Sequence, residues 1–366
     1  MKIGFDAKRA FFNHTGLGNY SRTLIGDLYN IFPDDEYYFF TPRFNEKFGS
    51  VFAHGRVVVP RFPNPLWRSI GIQSSIRREN LDVFHGLSNE LPFKIGSSGI
   101  PSVVTIHDVI FDIIKEDFPR IDRSVYRTKT NQAVKDASRI VAISQNTKTD
   151  LIERFGADEE KIEIIYQPSD PQFHHHPLSE DEQNEFGIRY QLPKNFLLFV
   201  GALMKRKNVL SLIRAWELLE EKIPLLIFGN GNHYYKKVQD YISKKKIETW
   251  VQLRPPVPFE DLPYLYKLAD TIIYPSLYEG FGLPVLEALA CGARVVTSNV
   301  SSMPEAGGSL PVYISPEDID SIAEGIKKSL NMPPPDKNKL SEHLACFNRV
   351  DSTQQLRRIY KEVIGN

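Results

Sequence analysis

Two cysteines in 366 residues, Cys291 and Cys346, are too few for a disulfide framework, which predicts a reducing compartment. No uninterrupted apolar run approaches the ~18 residues needed to span a bilayer. The opening MKIGFDAKRAFF reads as a short strand entering a polar turn, not as a signal peptide. Charge of one sign is not in excess either: Lys plus Arg and Asp plus Glu stand at 45 each. Without a basic field, nucleic acid is excluded as a general partner, and any polyanion must be gripped locally. These absences predict a soluble, cytoplasmic protein, at most peripheral at the inner face of a membrane.

What the chain has is a regular supply of short, β-branched apolar runs. KIGFDA (2–7), YYFFT (37–41), RVVVP (56–60), DVFHG (82–86), SVVTIHD (102–108) and RIVAIS (139–144) read as buried strands. A second set follows with FLLFVG (196–201), PLLIFG (224–229), VQLRP (251–255), DTIIYPS (270–276) and RVVTSN (294–299). Helical stretches such as 21–31 and 122–137 lie between strands, a pattern that builds parallel sheets covered on both faces. The fold class is therefore α/β, with two doubly wound Rossmann-like domains facing across a cleft. Residues 1–170 form the first, 171–190 a linker, 191–345 the second, and 346–366 a helical segment that could return to the first. The triplet His174–His176 lies in the proline-rich seam and reads as solvated linker, since three consecutive residues rarely converge on one ion.

In open parallel sheets ligands bind beyond the carboxyl ends of strands, so residues interrupting those ends are the candidates. NHTGLGNY (13–20) follows the first strand, and Gly16 and Gly18 would let backbone approach an anion at the next helix start. A tight strand-to-helix turn explains the same glycines. His107 closes the strand of TIHD (105–108) and His85 that of DVFHG; each faces a ligand or is a satisfied structural histidine. In FVGALMKRKNVL (199–210), Lys205, Arg206 and Lys207 precede a helix amino terminus, against its dipole. An anion such as a diphosphate held between them would account for that placement.

The stretch YPSLYEGFGLPVLEALACG (274–292) carries Glu279 and Glu287 around Gly280, Phe281 and Gly282. Pro284 suits the start of a helix and Gly292 its end. Glu287 reads as a first-turn carboxylate, favoured there by the dipole. Glu279 lies in the loop before it, where a carboxylate can accept hydrogen bonds from a polyhydroxylated ligand.

E-G-F-G-L-P-V-L-E at 279–287 resembles the E-x7-E signature of retaining nucleotide-sugar glycosyltransferases of family four, the group 1 glycosyltransferases, which have the GT-B fold. TGLGNY (15–20), TIHD (105–108), VAISQNTK (141–148), FVGALMKRKN (199–208) and SSMPEAGG (301–308) extend the resemblance over most of the chain. It implies that Lys207 binds the donor diphosphate with Arg206 beside it, and that Glu287 holds the ribose hydroxyls. It implies that Glu279 and His107 stand near the donor sugar, and that Phe281, Gly282 and Leu283 offer main-chain amides. The loop at Gly16 and Gly18 would approach the diphosphate from the acceptor-facing domain. Many members carry an arginine directly after the glycine of the preceding strand; here that position is Ala202, so either Arg206 supplies the charge or the diphosphate is held more weakly.

Arg206, Lys207, Glu279 and His107 are thus the expected catalytic set. No Asp-x-Asp ends a strand as a metal clamp, so neither metal nor cofactor is expected, and the nucleotide sugar is a co-substrate. The reaction implied is hexose transfer to a hydroxyl of a glycan or lipid-linked saccharide. Similarity to the bacterial mannosyltransferase branch makes GDP-mannose the first choice of donor. A nucleotide-sugar epimerase or phosphorylase on the same fold, or a non-catalytic nucleotide-sugar module, remain the alternatives. Residues 56–78, with Arg56, Arg61, Arg68, Arg77, Arg78, Phe62 and Trp67 and no acid, read either as an anionic-lipid contact or as an ordinary amphipathic helix.

Overall fold

The apolar runs become thirteen parallel strands among the described residues, in two sheets. A computed structural model describes residues 1–13, 16–62, 67–174, 178–231 and 233–365. His14 and Thr15 of the glycine loop, and His175 and His176 of the triplet, lie outside them. The chain divides into two compact units, Met1–Gln167 with Asn348–Asn366, and Pro168–Phe347.

The first unit contains β1 (Lys2–Asp6), β2 (Glu36–Phe40), β3 (Arg56–Val58), β4 (Val83–Gly86), β5 (Ser102–Ile106), β6 (Arg139–Ala142) and β7 (Ile162–Ile164). Its order is β3-β2-β1-β4-β5-β6-β7. Neighbouring residues alternate between two cores, as the period of a strand requires. Phe40, Phe84 and Val104 join Ile72, Ile76 and Leu151 on one face. Phe39, Val83 and Val103 join Leu28 on the other, which the helix Arg349–Gly365 covers with Leu356, Ile359, Tyr360 and Val363.

The second unit contains β8 (Leu197–Val200), β9 (Leu225–Phe228), β10 (Val251–Arg254), β11 (Thr271–Tyr274), β12 (Val295–Ser298) and β13 (Val312–Ile314), in the order β10-β9-β8-β11-β12-β13. The segment Glu180–Arg189, inside the stretch read as linker, is a helix whose first turn is closed by a capping box between Ser179 and Glu182.

Both sheets follow the 3-2-1-4-5-6 order of doubly wound folds. The order reverses between β1 and β4 in one unit and between β8 and β11 in the other. Loops leaving those adjacent strand ends diverge to opposite faces, opening a crevice for a ligand.

Candidate active site

The crevice of the second unit is built from the loops after β8 and β11. Strand β8 gives way to Gly201, whose φ of 149° is a conformation that side chains disfavour. Its carbonyl runs so close to Gly229 that a Cβ there would lie 1.9 Å from it. The chain then makes the short turn Lys205–Lys207, ended by Asn208 in the left-handed region at φ 60°. Asn208 donates its amide to the Pro316 carbonyl at 2.6 Å, and Leu277 N–H donates to the Arg206 carbonyl at 2.7 Å. These bonds fix the cationic turn against the loops after β13 and β11.

Glu279 is what that turn holds. Its Oε2 lies 2.7 Å from Arg206 Nη1 and its Oε1 2.6 Å from Lys207 Nζ. Its main chain is tied at both ends: N–H to Ser301 Oγ at 3.1 Å, and carbonyl from Ser302 Oγ at 2.8 Å. Burial alone would raise the Glu279 carboxyl, but Arg206 and Lys207 outweigh it and hold the group at about 2. Burial lowers the Lys207 ammonium, with Glu279 opposing that shift. Two cations sharing one carboxylate leave a local charge of +1, a site ready for an anion.

Gly282 turns the chain at φ 101°, and a Cβ there would stand 3.1 Å from Met303 Sδ and 3.2 Å from Ala306 Cβ. The helix Leu283–Ala290 follows, with Phe281 buried against the Phe347 ring at 5.6 Å. Here the structure corrects the reading of Glu287. It is the fifth helical residue, not a first-turn carboxylate, so the dipole does not explain it. Glu287 is buried, and burial with the nearby Asp170 raises it to about 8. An uncharged carboxyl at neutral pH is the result.

In the first unit, His107 stands just beyond β5 and is buried. Its Nε2–H donates to the Leu87 carbonyl at 2.9 Å, its Nδ1 lies 2.9 Å from the Gln167 amide, and Tyr20 packs edge-on at 4.7 Å. His85 is a satisfied core histidine, bonded with Tyr360 Oη at 2.6 Å and Thr105 Oγ1 at 2.9 Å. Gly16 begins the helix Gly16–Ile31 with open space around it. At Gly18 a Cβ would fall 1.8 Å from the Asn13 carbonyl, so the loop itself demands glycine there.

Sequence reasoning missed a second ionic cluster, at the carboxyl ends of β1 and β4. Arg68 is buried between Asp6 (Nε to Oδ2, 2.6 Å) and Glu90 (Nη1 to Oε2, 3.0 Å), and Lys129 Nζ reaches the same Glu90 oxygen at 2.8 Å. The signal was present in Asp6, an acid closing an apolar strand as His107 does. The cluster also changes the reading of 56–78: Trp67 and Arg68 point inward, and Arg56 pairs with Glu79 at 2.9 Å. Phe62 and Ile70 remain outward, 72% and 59% exposed.

Residues 180–344 match the family described as Glycosyl transferases group 1, and residues 23–173 match Glycosyltransferase Family 4. The chain belongs to this family of glycosyltransferases, with the GT-B pair of doubly wound sheets. Among its relatives it is 30% identical to O-antigen chain mannosyltransferase B of Escherichia coli, over 90% of this chain and 91% of that protein. It is 26% identical to O-antigen chain mannosyltransferase RfbU of Salmonella typhimurium, over 63% of this chain and 61% of that protein. The structure is alike in fold to a glycosyltransferase from Rickettsia africae, at TM-score 0.77 and 17% identity, over 100% of this chain and 98% of that one. It is alike also to Anabaena Alr3699/HepE in complex with UDP and glucose, at TM-score 0.73 and 19% identity, over 99% and 100% of the two chains.

Proposed function

We propose that the protein transfers mannose from GDP-mannose to a hydroxyl of a glycan or lipid-linked saccharide, with retention of configuration and without a metal ion. The observation that carries this reading is the buried trio of Arg206, Lys207 and Glu279 at the β8/β11 crevice, with its surplus positive charge. The relatives named as mannosyltransferases support the choice of sugar.

In this scheme the sugar–phosphate bond breaks toward an oxocarbenium-like state while negative charge grows on the leaving diphosphate. Arg206, Lys207 and the amides of Phe281, Gly282 and Leu283 stabilise that charge in place, without reorganising. Glu287 accepts the ribose hydroxyls, Glu279 orients the sugar while fixing the two cations, and His107 stands by the reacting carbon. The acceptor hydroxyl attacks the same face and passes its proton to the departing phosphate oxygen.

A panel of GDP-, UDP- and ADP-sugars, scored by thermal shift and by transfer with and without EDTA, tests it. GDP-mannose should give the largest shift and EDTA-insensitive transfer. A UDP- or ADP-sugar as preferred donor removes the mannose assignment, and loss of transfer in chelator removes the metal-free scheme.

The same proposal extends to a membrane-borne acceptor. No helix among the described residues is long and apolar enough to cross a membrane. Exposed Phe62 and Ile70, with Arg61 next to Phe62 in sequence, fit shallow insertion at an anionic surface. Flotation with phosphatidylglycerol vesicles should carry the protein upward, and Phe62→Ser with Ile70→Ser should reduce that fraction severalfold. No flotation of the wild type removes the membrane contact.

A further inference from the structure

The His107 ring has no nitrogen to spare. The Leu87 carbonyl can only accept, so the proton sits on Nε2. Nδ1 is then a bare lone pair, and the group 2.9 Å from it must donate: Gln167 turns its amide N–H₂ toward the ring. Both side chains are buried, so neither bond is replaced by water. We infer that Gln167 is a positioning residue that locks His107 as the neutral Nε2–H tautomer, and that transfer depends on this neutrality.

The inference rests on the proposed placement of His107 beside the reacting carbon. A carbon acquiring oxocarbenium character is repelled by an adjacent imidazolium and tolerates a neutral ring. The surroundings act in the same sense. Burial depresses the imidazole to about 4, outweighing the upward pull of the Leu87 bond, and Arg9 of the helix Lys8–Phe12 adds a smaller downward push. Tyr20 from the helix Gly16–Ile31 packs edge-on to the ring, and His85 of β4 is near enough to feel its charge. Asp108, next in sequence, has one carboxylate oxygen accepting from Ile110 N–H at 3.1 Å. Gln167 ends the first of the two stretches that make up the first unit, so the lock is set where the chain passes into the second.

Gln167→Glu tests the lock, because a carboxylate accepts where the amide donates and so calls a proton onto Nδ1. In the full-length chain labelled with ¹⁵N-histidine, the His107 resonances are identified by their loss in His107→Ala. The wild type should show the neutral Nε2–H pattern from pH 5.5 to 8.5, and Gln167→Glu the doubly protonated pattern at pH 7. Its kcat should fall roughly 100-fold at pH 7 and recover on the alkaline side, with the donor KM within about threefold. Gln167→Leu should keep a neutral ring, lose less activity and gain no new pH limb. A ring still neutral at pH 7 in Gln167→Glu overturns the lock, and an imidazolium with unchanged kcat overturns its bearing on transfer. The spectra need no turnover, so a wild type that transfers no sugar counts against the proposed reaction and leaves the lock to be judged by resonance alone.

Discussion

Lys207→Ala is expected to lower kcat/KM for sugar transfer by about 10³-fold, at the upper end of what one preorganised donor to a developing anion contributes. The reason is the charge count of the site. Arg206 and Lys207 share Glu279, at 2.7 and 2.6 Å, leaving one positive charge for the diphosphate. Without Lys207 the remaining pair is neutral, and the leaving group must gather charge in a pocket that no longer draws it. Because Arg206 still satisfies Glu279, the variant avoids the full ~3–5 kcal/mol penalty of orphaning a buried charge. Steady-state kinetics beside circular dichroism separate the two effects. Activity within threefold of wild type, on an intact fold, would remove Lys207 from the diphosphate site.

Glu287→Gln should move stability and binding in opposite directions. The folded carboxyl titrates at about 8 against an ordinary 4.5, so the folded state holds this proton more tightly than the unfolded state does. The stabilisation from that proton is complete below about pH 4.5 and is lost as pH rises through 8. Glutamine resembles the protonated acid and has nothing to lose. At pH 8 the unliganded variant should therefore be more stable by about 2–4 kcal/mol, with the gap closing toward pH 5. Glu279, held at about 2, contributes the other way: its stabilisation is present above about 4.5 and is lost as pH falls toward 2.

The same substitution should weaken donor binding, because a neutral amide would replace the carboxylate proposed to accept hydrogen bonds from two ribose hydroxyls. A rise in donor KM of about 10–100-fold is expected at pH 8, shrinking at lower pH where the wild type is itself protonated. Urea unfolding at three pH values and donor titration of both proteins check the pair of effects. A variant less stable than wild type at pH 8 would show that Glu287 is charged in the folded protein.

Most strands were legible as short runs rich in β-branched or aromatic residues, because burial on both faces of a parallel sheet favours near-continuous apolar stretches. β7 and β13 were missed: each has three residues, lies at a sheet edge, and carries a polar or aromatic interruption, Glu163 or Tyr313. The meeting of Lys207 with Glu279 was foreshadowed by position, since both interrupt strand ends at the point where the strand order reverses. The protonation of Glu287 was not legible. It depends on Asp170, far away in sequence, and on a depth of burial that helical periodicity does not give. Gln167 left no trace because a neutral amide in a proline-rich seam looks like linker until its partner is seen. The inward turn of Trp67 and Arg68 was equally hidden, as Arg68 finds its carboxylates at Asp6 and Glu90, outside the stretch read as basic.

The first unit is assembled from two stretches of chain, and synthesis imposes an order on them. Residues 1–167 leave the ribosome with one sheet face only partly covered, by Leu24, Ile25 and Leu28, since Leu356, Ile359, Tyr360 and Val363 belong to a helix not yet translated. At ~5–20 residues per second, the intervening unit occupies roughly 10–40 s. During that interval His85 lacks its Tyr360 partner and the apolar face meets water or a chaperone. The second unit is continuous and free to fold first, so the helix Arg349–Gly365 completes a domain that was begun before the second unit was made.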